Sequence, residues 1–155
     1  MQYVGPSITK ITVMILEDEL GLAHTLSAVL EKNLGVGSSV KVCSTAEVAL
    51  QILQIHKFDL IISEWRLPGM SGMDFITQVR KSFPDLPIIF MTAFGTDQIE
   101  EQAQAVSDYY IKKPFEIAEL TQVIDQLLHL GVADSLPTPP PRTEDEPIPR
   151  PRVGR

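Results

Sequence analysis

The sequence predicts an α/β fold in which helices cover both faces of a parallel five-stranded sheet. Short apolar segments alternate with longer amphipathic segments through residues 11–130, and a strand followed by a helix occurs five times. Strands that are apolar on both faces are typical of a parallel sheet buried between two helical layers. Right-handed crossovers then favour a doubly wound sheet with the strand order 2-1-3-4-5.

The first half of this region contains three predicted strands and two predicted helices. Apolar residues recur at helical spacing after residue 20, and glycines at 35 and 37 end that helix. Thr45 is the predicted cap of the second helix. That helix is expected to bury most of Val48, Leu50, Ile52, Leu53 and Ile55. The strands are predicted at 11–16, 39–43 and 59–63, and the helices at 20–33 and 46–56.

The second half contains two predicted strands and three predicted helices. Pro84 follows the first of these helices and marks its end, because proline cannot continue a helix. The next helix is short and polar. The strands are predicted at 87–91 and 108–111, and the helices at 72–82, 96–105 and 116–130.

Composition indicates one globular domain followed by a proline-rich tail. The 155 residues, with a hydrophobic fraction of 44%, are enough for one sizeable core. Prolines recur from residue 137 to residue 151, and such a segment sustains no helix and offers little to bury. We therefore predict an N-terminal extension at 1–10, a domain at 11–131, and a disordered tail at 132–155 that is dispensable for folding.

The net charge of −7 argues against an extended nucleic-acid surface. No apolar run reaches the roughly 18 residues of a membrane span, and no secretory signal opens the chain. The single cysteine, Cys43, cannot form an intrachain disulfide, which suits a reducing, cytoplasmic setting. Acidic charge does not oppose a cation site and would suit one.

Polar side chains stand where the predicted strands end. Strand 3 ends in Glu64, strand 4 ends in Thr92, and strand 5 leads to Lys112 and Lys113, while strand 1 is followed by Glu17-Asp18-Glu19. In doubly wound sheets the site lies at the carboxyl ends of the strands, near the point between strands 1 and 3 where the strand order reverses. These side chains should therefore meet at one edge.

The chemistry of this edge suits a divalent cation and a phosphoryl group. Clustered carboxylates repel one another unless a cation lies among them, and oxygen ligands suit a hard ion such as Mg²⁺. A hydroxyl and a lysine on the other flank suit phosphoryl oxygens.

Four segments, in order, resemble the receiver domain of two-component signalling. They cover about residues 11–130 and together are far more specific than any one alone. The segments are Ile15-Leu16-Glu17-Asp18-Glu19, the stretch 59–72 that contains Glu64, Met91-Thr92-Ala93, and Tyr110-Ile111-Lys112-Lys113-Pro114-Phe115.

The resemblance implies a role for each matching residue. Asp18 resembles the direct Mg²⁺ ligand, Glu17 its partner, and the backbone carbonyl of Arg66 a third ligand beside Glu64. Thr92 resembles the switch hydroxyl that approaches a phosphoryl oxygen. The remaining matches are Lys113 (the lysine that pairs with the phosphoryl group), the bond from Lys113 to Pro114 (a cis peptide), and Tyr110 (the aromatic switch that rotates inward on activation).

Glu64 is the main departure from the family, because receivers carry an aspartate at the phosphoacceptor position. The extra methylene moves the carboxylate by roughly an ångström or more, which can cost about 10²-fold in rate. It also brings negative charge toward Thr92 and Lys113. Three interpretations stay open: a phosphorylation-independent or phosphomimetic interaction module, an aspartate-to-glutamate variant of an ordinary acceptor, and a decayed or slowly phosphorylated site.

Signalling by such a domain would pass through protein contacts. The resemblance implies a sensor histidine kinase or a downstream protein as partner, and a possible homodimer through the face of helix 4, strand 5 and helix 5. No nucleic-acid or membrane contact by the domain is expected. A flavin carrier or a small Mg²⁺-dependent phosphohydrolase is disfavoured, because Glu17-Asp18-Glu19 supplies neither a phosphate loop nor an aspartate nucleophile, and we predict no enzymatic activity.

Overall fold

The computed structural model of the protein describes residues 10–128, so the predictions for the extension at 1–9 and for the tail from 129 onward lie outside the described residues. The five strands are β1 Thr12–Leu16, β2 Ser39–Cys43, β3 Leu60–Glu64, β4 Ile88–Thr92 and β5 Tyr109–Lys112. The five helices are α1 Leu20–Asn33, α2 Ala46–Ile55, α3 Gly72–Ser82, α4 Asp97–Val106 and α5 Ile117–Leu127.

The strands form one parallel sheet of order β2-β1-β3-β4-β5, which confirms the predicted fold class. Strand β1 lies between β2 and β3, so Ile15 pairs with Val42 on one side and Ile62 on the other. The reversal of strand order falls between β1 and β3. The carboxyl ends of β1, β3, β4 and β5 therefore lie at one edge.

Side chains of the inner strands alternate between two buried clusters. Val13 and Ile15 point to the cluster that also contains α1 and α5 residues such as Leu26 and Val123. The intervening residues of β1 point to the other cluster, with α2, α3 and α4 residues such as Phe75. Burial on both faces explains why these strands are apolar throughout.

Helix α2 differs from its prediction. Val48 is 44% exposed and Ile55 is 74% exposed, so the expectation that they are buried is wrong. The buried face is instead made by Ala46, Ala49 and Leu53. The two small residues let the helix lie close to the sheet, and only one stripe of an apolar helix can face the core.

The amino edge of the sheet is held by two carboxylates. The carboxylate of Asp59 accepts from the backbone N–H of Thr12 at 2.8 Å, and that of Asp108 accepts from Ile88 at 2.8 Å. Asp59 therefore lies at the edge opposite Glu64, where it cannot substitute as an acceptor. Strands β1, β3, β4 and β5 each begin one residue later than predicted.

Candidate functional site

Glu17, Glu64 and Lys113 meet at the carboxyl edge of the sheet. The Nζ of Lys113 lies 2.6 Å from Oε2 of Glu17 and 2.6 Å from Oε2 of Glu64. Both acids are buried, with residue exposures of 1% and 4%. The prediction that strand-end residues converge here is met for these three, and one ammonium joins two buried carboxylates.

The second oxygen of each carboxylate also has a donor. Oε1 of Glu17 accepts from the backbone N–H of Glu19 at 3.0 Å, and Oε1 of Glu64 accepts from that of Arg66 at 3.0 Å. All four carboxylate oxygens thus accept a hydrogen bond. Buried charges are tolerated only when they are paired and hydrogen-bonded in this way.

Burial and charge shift the pKa values of this group. Burial raises the pKa of Glu17; the hydrogen bond from Lys113 opposes this, and the charge of Glu64 adds to it. Burial acts to lower the pKa of Lys113, but its hydrogen bonds to Glu17 and Glu64 outweigh that effect, and the net pKa is raised. Lys113 is therefore a stable cation at neutral pH.

Thr92 is fully buried at the end of β4, and its hydroxyl faces its own loop. Its Oγ1 accepts from the backbone N–H of Phe94 at 3.2 Å, and its carbonyl accepts from the N–H of Lys113 at 2.9 Å. Among residues 10–128, no hydrogen bond joins Thr92 to Glu64. Glu64 thus contacts Lys113, as expected, but not the Thr92 hydroxyl.

The ring of Tyr110 packs against the cluster on the α2, α3 and α4 side, and its hydroxyl is buried without a hydrogen-bond partner. A Cβ placed on Gly95 would collide with this hydroxyl. Burial raises the pKa of Tyr110, and the negative charges of Glu100 and Glu64 add to that rise. The loop from β4 to α4 therefore lies directly on the predicted switch residue.

The donors predicted for Mg²⁺ are oxygens, which suit the ion, but two of these carboxylates already face Lys113. Asp18 is exposed and forms no hydrogen bond or ion pair within the described chain. Nowhere in residues 10–128 are three His, Cys, Asp or Glu side chains placed to hold a metal ion. The Lys113 ammonium lies between the two buried carboxylates that would have to face the cation, so the Mg²⁺ site stays a prediction.

Glycines shape the loop that follows Glu64. A Cβ at Gly72 would collide with the carbonyl of Glu64, and the N–H of Gly72 donates to Trp65 at 3.0 Å. Gly69 has a φ of 76°, in the region that favours glycine. The ring of Trp65 packs edge-on against that of Phe90, with the ring centroids 5.2 Å apart.

Sequence reasoning missed two residues that position this loop and its neighbour. Glu47, at the start of α2, accepts from the N–H of Met70 at 3.1 Å. The guanidinium of Arg66 lies 4.6 Å from the centroid of the Phe94 ring, across the two loops. No rule of sequence spacing predicts either contact. The sequence does show an aromatic residue, Phe94, two positions after Thr92. The Lys113–Pro114 peptide is cis, as the resemblance implied.

Comparison with known proteins identifies the class. The model of the response regulator receiver domain matches residues 13–125. The chain is 34% identical over 114 residues to the response regulator protein FleR of Pseudomonas aeruginosa, covering 72% of this chain and 23% of FleR. It is 35% identical over 118 residues to the two-component response regulator PhoP of the same organism, covering 75% of this chain and 51% of PhoP.

Solved structures agree. The response regulator TrrA of Thermotoga maritima, determined in complex with Mg²⁺ and BeF, has a TM-score of 0.68 and 26% identity, with 76% of this chain and 99% of that chain covered. The present chain therefore belongs to the response regulator receiver family. It spans about a quarter of FleR and about half of PhoP. Within the described residues, no helix has the length and apolarity needed to cross a membrane.

Proposed function

We propose that this receiver domain signals through protein contacts in a phosphorylation-independent, phosphomimetic way, with Glu64 standing partly in place of the phosphoryl group. The contact of 2.6 Å between Glu64 and Lys113 carries the proposal. In receivers this lysine is the partner of the phosphoryl group, and here the longer acidic side chain already holds it. The position of the lysine is then set without phosphate.

The mimicry is partial. One carboxylate carries less charge and fewer acceptor oxygens than a phosphoryl group. Glu64 makes no bond to Thr92, whereas the buried hydroxyl of Tyr110 matches the inward orientation implied for an active receiver. The proposed state therefore combines an occupied lysine and an inward aromatic with a switch hydroxyl that Glu64 does not touch.

A second candidate is an ordinary phospho-accepting receiver in which aspartate has been replaced by glutamate. The Thr92 hydroxyl, which Glu64 does not contact, and the Lys113 ammonium favour this candidate, because both are groups that would hydrogen-bond to phosphoryl oxygens. A small phosphohydrolase has no comparable support. The two candidates make opposite predictions for the response to a phosphodonor.

Membership of the receiver family supports a proposal for the partners and the cellular location of this domain. We infer a sensor histidine kinase or a downstream protein as partner, with the face of α4, β5 and α5 as the contact or homodimer surface. The domain itself would touch neither nucleic acid nor membrane and would act in the cytoplasm. Any Mg²⁺ would bind weakly, through oxygens of Asp18, Glu17, Glu64 and the Arg66 carbonyl, because Lys113 competes for two of those carboxylates. No step of the proposed function passes through the ion.

The proposal predicts that the unaltered chain ignores a phosphodonor. Mg²⁺ and then acetyl phosphate would be added while the fluorescence of Trp65, the single tryptophan, and the backbone amide shifts are followed. We expect only a weak response to Mg²⁺ and none to the donor. Mg²⁺ should produce no shift at all in Asp18→Asn. A saturable, donor-dependent shift at Thr92 and Lys113 would favour the ordinary acceptor.

A further inference from the structure

Two loops meet above the site through one stacked pair. Arg66 lies in the loop after β3 and Phe94 in the loop after β4, and the guanidinium carbon is 4.6 Å from the ring centroid. Both residues are exposed, with Phe94 59% exposed. Water solvates an exposed aromatic ring poorly. A cation over the face of the ring is attracted by the ring electrons, so the contact is favourable. The pair is a side-chain contact that bridges these two loops.

Each member of the pair is tied through its own backbone to a predicted functional side chain. The N–H of Arg66 donates to Oε1 of Glu64 at 3.0 Å. The N–H of Phe94 donates to Oγ1 of Thr92 at 3.2 Å. Glu64 and Thr92 are therefore linked through Arg66 and Phe94, although they do not bond each other.

The same loop reaches the aromatic switch. Gly95 follows Phe94, and its Cα lies so close to the hydroxyl of Tyr110 that a side chain there would collide with it. Displacing the loop would open the space around that hydroxyl. The position of Phe94 thus bears on Thr92 through one hydrogen bond and on Tyr110 through the adjacent Gly95.

We propose that the stack of Arg66 on Phe94 is a positioning device that couples Glu64 to Thr92 and holds the β4–α4 loop closed over Tyr110 without phosphate. Arg66 and Phe94 act through other residues and are not phosphoacceptors. The inference deepens the proposed function and rests on it for its meaning in signalling. The mechanical coupling of the two loops can nevertheless be measured separately.

The test is a double-mutant cycle on the full chain. Arg66→Gln keeps the backbone N–H but removes the cation, and Phe94→Leu removes the ring. Amide exchange and relaxation dispersion at Gly95 and Thr96 report loop opening. A cation–π contact at an exposed site is worth about a two- to five-fold change in an equilibrium, so each single variant should raise the open population by about that factor.

The pattern across variants decides the outcome. We expect the double variant to match the single variants, Arg66→Lys and Phe94→Trp to keep the loop closed, and the control Phe83→Leu, on the distant end of α3, to change nothing at Gly95. The coupling would be overturned if the effects of the two substitutions on the open population added in the double variant. It would also be overturned if both single variants had the same open population as the unaltered chain. These measurements use no phosphodonor. A response of the unaltered chain to a phosphodonor would therefore refute the proposed function. The coupling of the two loops would still be decided by the double-mutant cycle alone.

Discussion

Glu64→Asp is expected to take up phosphate from acetyl phosphate in the presence of Mg²⁺ at least about a hundredfold faster than the unaltered chain. The shorter side chain withdraws the carboxylate from Lys113 and leaves room for in-line attack on phosphorus. In the proposed roles, Lys113, which lies beside Glu17, and Thr92, which is buried at the end of β4, would contact the phosphoryl oxygens. Intact-mass spectrometry over time measures the uptake directly.

The matched control for this experiment is Glu64→Gln. It keeps the length of the side chain but cannot accept phosphate, so it should stay unmodified. Equal uptake by the unaltered chain and by Glu64→Asp would show that Glu64 is an ordinary acceptor. Uptake by neither would show that the site has lost more than the aspartate.

Lys113→Met is expected to lower the free energy of unfolding by about 3 kcal/mol at neutral pH, because removing one partner of a buried ion pair leaves uncompensated charge. Here one lysine side chain, 15% exposed, serves two carboxylates that are 2% and 6% exposed. Denaturant unfolding followed by circular dichroism gives the difference. Lys112→Met is the control: Lys112 is 60% exposed and pairs with Glu100 at 3.2 Å, so less than about 1 kcal/mol should be lost.

The pH dependence of this loss has a definite sign. The raised pKa of Lys113 means that its contribution is fully present below its ordinary pKa and is lost only as pH rises through the higher folded value. In the variant, burial still raises the pKa of Glu17, so the folded state takes up a proton more readily than the unfolded state. Lys113→Met should therefore recover stability as pH falls. The difference in the free energy of unfolding between this variant and the unaltered chain should become smaller. An equal loss for Lys113→Met and Lys112→Met would contradict the buried bridge.

The sheet order could be predicted because burial on both faces leaves a plain signature in β1, β3 and β4. The exact strand ends could not, since they depend on which backbone groups pair, and at the amino edge the carboxylates of Asp59 and Asp108 accept from the N–H groups of Thr12 and Ile88. The exposed face of α2 was missed for a related reason. Its sequence carries more apolar residues than one helix face can bury, and Ala46 and Ala49 turned out to define the buried side.

The candidate site was predictable as a set of residues and less so as a set of contacts. Topology alone brings Glu17, Glu64, Thr92 and Lys113 to one edge. Which carboxylate oxygen meets which donor depends on side-chain length and rotamer, so the pairing of Lys113 with both Glu17 and Glu64 could not be derived from spacing. The stack of Arg66 on Phe94 joins residues of two loops, where no periodicity applies.

If Glu64 holds the site in an active-like state without phosphate, the backbone amides around the site should report that state. The measurement compares the backbone amide spectrum of the unaltered chain with that of Glu64→Asp alone and that of Glu64→Asp bound to Mg²⁺ and beryllofluoride, the combination present in the Thermotoga structure. We predict that the shifts of residues 92–96 and 109–113 in the unaltered chain lie nearer to those of the beryllofluoride complex. Shifts that coincide with those of unliganded Glu64→Asp would show that Glu64 does not hold the site in an active-like state.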